Sequence, residues 1–253
     1  MQLSFKSNVS YQTFNFKDMK SRFISLITIL IFAGTQLIFA QTNQKREVSA
    51  FTEISLKIGA NVHLKQGNIQ SVEVSGSEAT LEKLITEVND RKLVIRYPTD
   101  TWFKKWNSGP VDIYITIPQI DALVVSGSGT IVSEGKIESR ILDLTVSGSG
   151  DIKLPEIKGD KVSAIISGSG NIHLFGKQNA GELKVAISGS GNVKAIEFPS
   201  DNVDIKISGS GNCWVNATKK LFVRLAGSGN VIYRGNPSID SSVAGSGKVK
   251  EER

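Results

Sequence analysis

The chain has 253 residues, 40% of them apolar and 21% charged, a balance typical of a globular or solenoid protein and not of a disordered chain. Its formal net charge of +6 falls to +3 without residues 1–40, which hold four basic residues and one acidic residue. So small an excess argues against a nucleic-acid partner, which would require a clustered basic stripe. The single cysteine excludes a disulfide framework or a cysteine-based metal site within one chain.

The first forty residues are predicted to be a signal peptide. Three basic residues between positions 17 and 22 precede the apolar run 23–39, which ends at the small residue Ala40. We expect cleavage after Ala40 and export to the periplasm, the medium or the cell surface, with no stable membrane span in the remaining chain. Met19 begins a segment of the same type and is a second candidate for the true start. The alternative is a retained membrane anchor, because the apolar run is close to the length that spans a bilayer.

Residues 41–120 are predicted to form the N-terminal coils and the cap of a β-structure. Within 47–74, short runs of alternating apolar and polar residues indicate half-buried strands. Residues 78–88 have apolar side chains at helical spacing, so we expect the one short helix there. Strands are expected again at 92–97 and at 111–117, where the apolar residues again alternate with others.

The segment between these last two strands is rich in aromatic and basic residues. Two Trp, one Phe and two Lys stand together in five positions of what we expect to be an exposed loop. Exposed aromatic side chains are costly unless they contact something. Two interpretations remain open: a ligand-binding patch, or a lid whose rings fold back on the protein. The residues of this candidate patch are Trp102, Phe103, Lys104, Lys105 and Trp106.

Residues 121–253 repeat one tetrapeptide at a nearly constant period. Ser-Gly-Ser-Gly, or Ala-Gly-Ser-Gly in the last two cases, recurs every 18 to 21 residues. A fixed period of this length predicts a solenoid in which each repeat is one coil. Alternating apolar residues around the tetrapeptide predict strands, so we expect an all-β, right-handed parallel β-helix of about 20 residues per coil. The tetrapeptides start at Ser126, Ser147, Ser167, Ser188, Ser208, Ala226 and Ala244.

Comparison of the repeats position by position predicts which side chains face the core. The residue directly before each tetrapeptide and the second residue after it are apolar throughout, and aliphatic in all cases but one, so both are expected to point inward. Cys213 is that exception, and we expect it to be a buried, unreactive thiol. Ile239 and Val243 hold inward positions in the last coil. The glycines should supply the positive φ that each corner needs.

Two outward rows follow the tetrapeptides. The residue directly after the tetrapeptide is Asn in four coils, and stacked Asn side chains can hydrogen-bond from coil to coil. The row two residues further along combines aliphatic, aromatic and basic side chains. It is the second candidate contact region, after the aromatic segment, and Trp214 is its aromatic residue. The strip consists of Val132, Trp214 and Ile232, flanked by Lys153, His173, Lys194 and Lys250.

These features together resemble the family of auto-transporter adhesin head GIN domains. The similarity rests on residues 51–58, 88–97 and 111–118 and on the repeated Val-Ser-Gly-Ser-Gly, and it covers nearly all of 47–249. The resemblance implies a right-handed β-helix on an exported bacterial protein with an adhesin role and without established catalytic residues. In the last two tetrapeptides Ala replaces the first Ser, which is a mild departure from the family pattern.

No arrangement of reactive residues indicates an enzyme or a cofactor. The repeated Gly-Ser-Gly lacks the Lys and the strand-to-helix context of a phosphate loop. Only Asp151 supplies the acid that a calcium-binding turn would need. His63 and His173 are the only histidines, and neither has metal-ligand spacing to the other. We therefore expect no catalytic, metal or cofactor site.

Export, repetition and the lack of a catalytic constellation favour a non-catalytic binding or adhesion module of the bacterial cell envelope. A glycan or an envelope protein is the expected partner. The alternative is a structural spacer or self-associating scaffold. A third hypothesis, a polysaccharide lyase or hydrolase, would require paired acids or bases on neighbouring coils, and the outward positions supply no such pair.

Overall fold

The computed structural model describes residues 41–98 and 109–252. Within these residues the chain winds as a β-solenoid of about six turns with roughly 20 residues per turn, which confirms the all-β fold expected from the repeat. One short helix, α1 (Glu78–Leu81), lies near the N-terminal end of this part of the chain. No helix in the described ranges is long and apolar enough to cross a membrane.

Seven of the described strands come before the first tetrapeptide. They are β1 (Thr42–Lys45), β2 (Glu53–Leu56), β3 (Asn61–Gln66), β4 (Ser71–Gly76), β5 (Ile85–Asn89), β6 (Lys92–Arg96) and β7 (Asp112–Ile117).

The remaining twelve described strands form the repeat coils. They are β8 (Ala122–Gly127), β9 (Thr130–Ser133), β10 (Lys136–Gly148), β11 (Asp151–Leu154), β12 (Glu156–Gly168), β13 (Asn171–Phe175), β14 (Ala180–Gly189), β15 (Asn192–Gly209), β16 (Asn212–Gly227), β17 (Asn230–Arg234), β18 (Ser238–Gly245) and β19 (Lys248–Glu251).

Each coil contributes one segment that leads into the tetrapeptide and one that follows it. The leading segments pair in parallel and in register, so that Val146 of β10 lies between Val125 of β8 and Ile166 of β12. We call this ladder the first sheet. The following segments form a second parallel ladder, which includes β9, β11 and β13 and which we call the second sheet. The long strands β15 and β16 contribute a segment to each sheet.

The inward side chains of both sheets form one continuous core. Leu144, Val146 and Ile152 are fully buried, which agrees with the inward positions predicted from the repeats. Cys213 is also fully buried and pairs in register with Val193 and Val231. Because each buried aliphatic side chain contributes about 1.5–3 kcal/mol, the core provides most of the stability of the coil.

The tetrapeptide corners stack with their backbones in contact. Gly148 has a φ of 120°, and a Cβ atom placed there would lie 2.7 Å from the carbonyl oxygen of Gly127 in the preceding coil. That carbonyl accepts a hydrogen bond from the N–H of Ser149 at 2.9 Å, and the carbonyl of Gly148 accepts one from Ser169 at 2.8 Å. Glycine is required because other residues rarely adopt this φ and because a side chain would push the coils apart.

The N-terminal end of the solenoid is closed by antiparallel strands. β2 and β3 extend the two sheets in parallel beside β8 and β9, and β6 and β7 follow them. β5 then pairs antiparallel with β6, β4 with β7, and β1 with β4. Leu81 of α1 and the neighbouring Leu84 are buried, so they cover the core at this end.

The prediction of a helix over residues 78–88 is wrong beyond its first turn. α1 ends at Leu81, and the residues from Ile85 onward form β5. Ile85 and Val88 are β-branched, which lowers their helix propensity and favours a strand. The free edge of β6 offers their backbone a ladder of hydrogen bonds, and helical spacing in the sequence cannot reveal that edge.

The last coil differs from the others in burial. Ile239 and Val243 hold inward positions on β18, yet they are 43% and 39% exposed, whereas Leu221 and Leu225, their partners on β16, are 1% and 2% exposed. The expectation that both residues are buried is therefore wrong. They are exposed because no further coil covers them among the described residues.

Candidate binding surface

The two predicted contact regions fall in different parts of the chain. Trp214 lies on β16 in the second sheet, on the outward side of the strand, and its side chain is half-buried. The aromatic segment lies outside the described residues, so its role as a patch or lid stays a prediction; it consists of Trp102, Phe103, Lys104, Lys105 and Trp106.

Trp214 belongs to an outward row that crosses nine strands of the second sheet. The row combines aromatic, cationic and aliphatic side chains, and its successive members are paired in register. At about 4.8 Å between strands, it extends over roughly 38 Å. We call it the aromatic–cation row. In spatial order it consists of Tyr114, His63, Val132, Lys153, His173, Lys194, Trp214, Ile232 and Lys250.

Tyr114 and His63 extend this row beyond the strip predicted from the sequence. Their strands, β7 and β3, lack the tetrapeptide that aligns the repeats. The alternation within residues 111–117 could have placed Tyr114 on the outward side of its strand. Only the pairing of β7 with β3, and of β3 with β9, places both rings in line with Val132.

Two pairs of neighbouring side chains within the row interact directly. Nζ of Lys194 lies 5.8 Å from the ring centroid of Trp214, which is within the range of a cation–π interaction. The rings of His63 and Tyr114 stack with centroids 4.8 Å apart and planes inclined by 15°. Because Tyr114 is 44% exposed, the row presents aromatic surface at two places along its length.

Carboxylates hold His63 in its orientation. Nε2 of His63 lies 3.3 Å from Oδ1 of Asp112, and Nδ1 lies 3.3 Å from Oε1 of Glu134. The same Asp112 oxygen accepts a hydrogen bond from Nδ2 of Asn61 at 3.2 Å. With a carboxylate facing each ring nitrogen, the stacked pair of His63 and Tyr114 is fixed, and this end of the row has acidic neighbours.

A ladder of amide side chains runs beside the row, two residues earlier on each strand. Nδ2 of Asn192 donates to Oδ1 of Asn171 at 2.9 Å, and Nδ2 of Asn212 donates to Oδ1 of Asn192 at 3.1 Å. Asn171 in turn donates to Asp151 at 2.9 Å, and Asn230 donates to Asn212 at 3.0 Å. These bonds confirm the predicted asparagine ladder. Each amide nitrogen carries two hydrogens, so one donor per side chain is left over by the ladder.

His173 is the titratable residue in the middle of the row. Burial lowers the pKa of His173, and the positive charges of Lys194 and Lys153 lower it further, against the opposing effect of Asp151. The imidazole is therefore neutral at pH 7. A neutral imidazole can both donate and accept a hydrogen bond, which the lysines beside it cannot do.

Metal-binding clusters and reactive thiols are absent from the described residues. Within 41–98 and 109–252, no group of three His, Cys, Asp or Glu side chains could hold a metal ion. Burial raises the pKa of the Cys213 thiol far above its ordinary value, so this residue acts as a small hydrophobic side chain. The row and the ladder offer ring faces, amide donors and cations, which are the groups of a reversible binding surface.

The first sheet carries a separate apolar groove of about 550 Å³ on its outer side. Ile165, which is 44% exposed, and Ala186 line one half of it, and Lys206 and Arg224 line the other half. These four residues are successive members of one outward row. We call this feature the side groove. The Arg224 guanidinium already donates to the carboxylate of Asp240, so the apolar wall and the cation of Lys206 are the parts that suit a ligand with an apolar tail and an anionic group.

A family model described as "Putative auto-transporter adhesin, head GIN domain" matches residues 50–237. The chain belongs to this family. The matched part of the head GIN domain includes every member of the aromatic–cation row except Lys250, and it ends directly before β18. No curated protein sequence matches the chain.

The head GIN domain is similar to several solved structures. A "putative adhesin" from Bacteroides fragilis NCTC 9343 has a TM-score of 0.75 at 23% identity, and the match covers 84% of this chain and 97% of that one. A "Putative lipid binding protein" from Parabacteroides distasonis ATCC 8503 has a TM-score of 0.66 at 24% identity, with 84% and 97% covered. A "putative adhesin" from Parabacteroides merdae ATCC 43184 has a TM-score of 0.68 at 22% identity, with 84% and 96% covered. At these identities the likeness concerns the fold.

Proposed function

We propose that this head GIN domain is an exported, non-catalytic adhesion module that binds an extended glycan of a cell surface or envelope along the aromatic–cation row. The observation that carries the proposal is the in-register row itself, with Lys194 against Trp214 and the asparagine ladder beside them. The description of the family as an adhesin domain supports an exported or surface location and a binding role.

The chemistry of the row matches the chemistry of a sugar chain. The ring of Trp214 offers an apolar face against which the C–H groups of a sugar ring can pack, while its N–H remains a donor. The spare amide hydrogens of Asn192 and Asn212 can donate to hydroxyl oxygens, and neutral His173 can donate or accept. Because these groups recur along the solenoid axis, an extended polymer can use several of them at once.

The presence of several cations in the row favours an acidic glycan over a neutral one. Lys153, Lys194 and Lys250 lie in the row itself, and Asp151 and Asp112 lie in the flanking ladder. Because Nζ of Lys153 lies 3.4 Å from Oδ2 of Asp151, Lys194 and Lys250 are the cations that would contact an acidic ligand. Exposed charges contribute less than 1 kcal/mol each and are screened by salt. We therefore expect binding that weakens as the salt concentration rises, with specificity determined by the aromatic and amide contacts.

The direct test is a glycan-binding array with wild-type protein and a Trp214→Ala variant. We expect the variant to bind the selected glycan about tenfold more weakly, since an aromatic contact is worth about 0.5–1.5 kcal/mol beyond its buried area and 1.4 kcal/mol corresponds to tenfold. Phe222→Ala is the matched control, because Phe222 is a half-buried aromatic residue on the same strand, stacked 3.8 Å from the guanidinium of Arg224 in the first sheet.

Equal loss in the two variants would reject the row as the site, since it would point to a general effect of removing an aromatic residue from β16. A third variant with alanine at Trp102, Phe103 and Trp106 tests the aromatic segment. Loss of binding in this variant alone would move the site to that segment and away from the row. Loss in both this variant and Trp214→Ala would indicate that the two regions bind the same ligand.

The side groove supports a second candidate function, the binding of an anionic amphiphile. Ile165 is 44% exposed and lies in one outward row with the cation of Lys206. The solved structure from Parabacteroides distasonis whose name describes lipid binding has the same fold. An acyl chain would lie against Ile165 and Ala186, and its carboxylate or phosphate would lie near Lys206.

Calorimetric titration with palmitate tests this second function. Ile165→Asp should abolish binding, because it places a negative charge on the apolar wall of the groove. Ile141→Asp is the matched control, since Ile141 is 48% exposed on the first sheet and lies outside the groove. Wild-type protein that shows no heat of binding, or equal losses in the two variants, would reject the side groove as a lipid site.

A further inference from the structure

The two ends of the described solenoid differ in how they are closed. At the N-terminal end, β5 and β1 are added antiparallel as the outermost strands, and the inward residues beneath them are buried. At the C-terminal end, the only strand within 41–98 and 109–252 that pairs with β18 is β16, and the only one that pairs with β19 is β17. Each of these two strands therefore has one unpaired edge among the described residues, and unpaired edges are templates for pairing with another strand.

Apolar core positions are open at the C-terminal end. All eight residues of β18 are exposed, including Ile239 at 43% and Val243 at 39%. Both belong to inward positions that hold buried apolar residues in the coils just before, Leu221 and Leu225 on β16 and Val203 and Ile207 on β15, so their apolar character matches a covered surface and not a solvated one. An additional strand laid along β18 would cover them in the way that β18 covers Leu221 and Leu225.

The two open edges differ in charge. β19 carries Lys248, Lys250 and Glu251, and charges of this kind are a common protection against strand pairing. β18 carries a single charged residue, Asp240, and no proline. Asp240 already has a cationic partner, because its two carboxylate oxygens accept hydrogen bonds from Arg224 at 3.1 and 3.3 Å. β18 is therefore the unprotected edge.

We propose that β18 pairs antiparallel with β18 of a second copy of this chain, around a two-fold axis at Ser241. In this register Ile239 lies opposite Val243 of the other copy, so both apolar residues face the same side and extend the core across the interface. Asp240 lies opposite Ser242, so no like charges are paired. The inference goes beyond ligand binding and does not depend on it.

The partner is a second copy, because β18 is complementary to itself in this register: its apolar residues face apolar residues of the other β18. Among the described residues, the antiparallel end strands and the buried core at the N-terminal end leave no equivalent apolar surface for head-to-tail growth. The assembly is therefore a closed dimer and not a filament. Since the interface is built on one strand of eight residues, it belongs to the small, transient class, and we expect dissociation constants in about the micromolar range.

The first test is sedimentation equilibrium on protein expressed from the full 253-residue sequence, over a range of concentrations around the micromolar. We expect a reversible monomer–dimer equilibrium. Val243→Lys should raise the dissociation constant at least tenfold, because it places two lysines in the apolar part of the interface. Ile141→Lys is the matched control, since it changes a comparably exposed aliphatic residue on β10, away from the edge and outside the side groove, and should leave the equilibrium unchanged.

A cysteine cross-link tests the register independently of those variants. Ser241→Cys should form a disulfide between two copies under mild oxidation, because residues on the two-fold axis of an antiparallel pair have Cα atoms about 4.5–5.5 Å apart. Ser238→Cys is the control, since Ser238 lies opposite Ala244 in this register and its thiols would be far apart. The native Cys213 is fully buried and does not interfere.

A strict monomer at all concentrations would overturn the proposal. So would a dimer that Val243→Lys leaves intact, or a cross-link that forms through Ser238→Cys and not through Ser241→Cys. If Val243→Lys fails to fold, the Ser241→Cys result decides alone. A monomeric, folded Val243→Lys protein should still bind its glycan with unchanged affinity per protomer, which separates this inference from the proposed function.

Discussion

Stacking changes the properties of individual side chains in this domain. His173 would be an ordinary surface histidine on an isolated strand, but here Lys153 and Lys194 stand on the adjacent strands at the same position. Partial burial, together with the two neighbouring cations, outweighs the single carboxylate of Asp151, and the pKa of His173 is lowered. The residue therefore contributes a neutral donor and acceptor to the proposed glycan surface at neutral pH.

This lowered pKa predicts a pH dependence of stability with a definite sign. As the pH falls below about 6.5, the unfolded chain takes up a proton at His173 that the folded chain does not bind. The free energy of unfolding therefore decreases as the pH is lowered from the ordinary histidine pKa to the lower pKa of the folded state. Above that pH window, the contribution of His173 to stability is fully present. We expect the melting temperature of wild-type protein to fall more from pH 7 to pH 5 than that of His173→Gln.

The control for this prediction is Lys194→Gln, which removes the larger of the two cationic causes of the lowered pKa. In the Lys194→Gln background, His173→Gln should change the pH dependence of the melting temperature by less than it does in the wild type. Identical melting curves for wild type and His173→Gln across the same pH range would contradict the lowered pKa.

At the scale of single elements, the corners determine how closely the coils can stack. The hydrogen bond from Ser149 to Gly127 and its equivalent from Ser169 to Gly148 keep the backbone paired where the chain turns. The asparagine ladder starts one residue after each corner and adds side-chain bonds in the same direction. Each of these bonds contributes about 1 kcal/mol net, so they select the register while the core supplies the larger share of stability.

Alanine substitutions at two glycines distinguish the cost of backbone strain from the cost of a clash between neighbouring coils. Gly148→Ala should lower the free energy of unfolding by roughly 1–3 kcal/mol or more. Gly135→Ala should lower it by less. Both glycines have positive φ, 120° and 93°, but a Cβ at Gly148 would lie 2.7 Å from the carbonyl oxygen of Gly127, while a Cβ at Gly135 meets no atom within 4 Å. Urea denaturation measures both free energies of unfolding. Equal losses would mean that the corners have room for a side chain.

For the whole molecule, stability should vary along the solenoid axis. Strands of central coils, such as β12, have a paired strand on each side, whereas β19 is paired on one side only within the described part of the chain. In a stack of this kind each coil is stabilised mainly by its nearest neighbours. The last coil is therefore expected to open more readily than the centre.

Amide hydrogen exchange measures this gradient. We expect the amides of β19 to exchange faster than those of β12, because opening the last coil breaks one interface and opening a central coil breaks two. The comparison is best made at concentrations well below the micromolar, where the proposed β18 pairing does not contribute. Uniform protection from β12 to β19 would contradict the one-sided pairing of the last coil.

The repeat by itself determined the all-β solenoid, the inward positions such as Ile152 and Cys213, the glycine corners and the asparagine ladder. In-register parallel stacking brings each position next to its own equivalent one period away, so a local pattern predicts a long-range contact. The same logic placed Trp214 beside Lys194 on the outer surface.

The tertiary structure alone decided the features that depend on neighbours without a repeat. Tyr114 and His63 joined the row because β7 and β3 pair with each other, and Ile85 became part of a strand because β6 had a free edge. Ile239 keeps the inward pattern of the repeat and is nevertheless exposed. Burial requires a strand on each side of a residue, and a sequence pattern specifies the side chain without specifying whether the next coil is present.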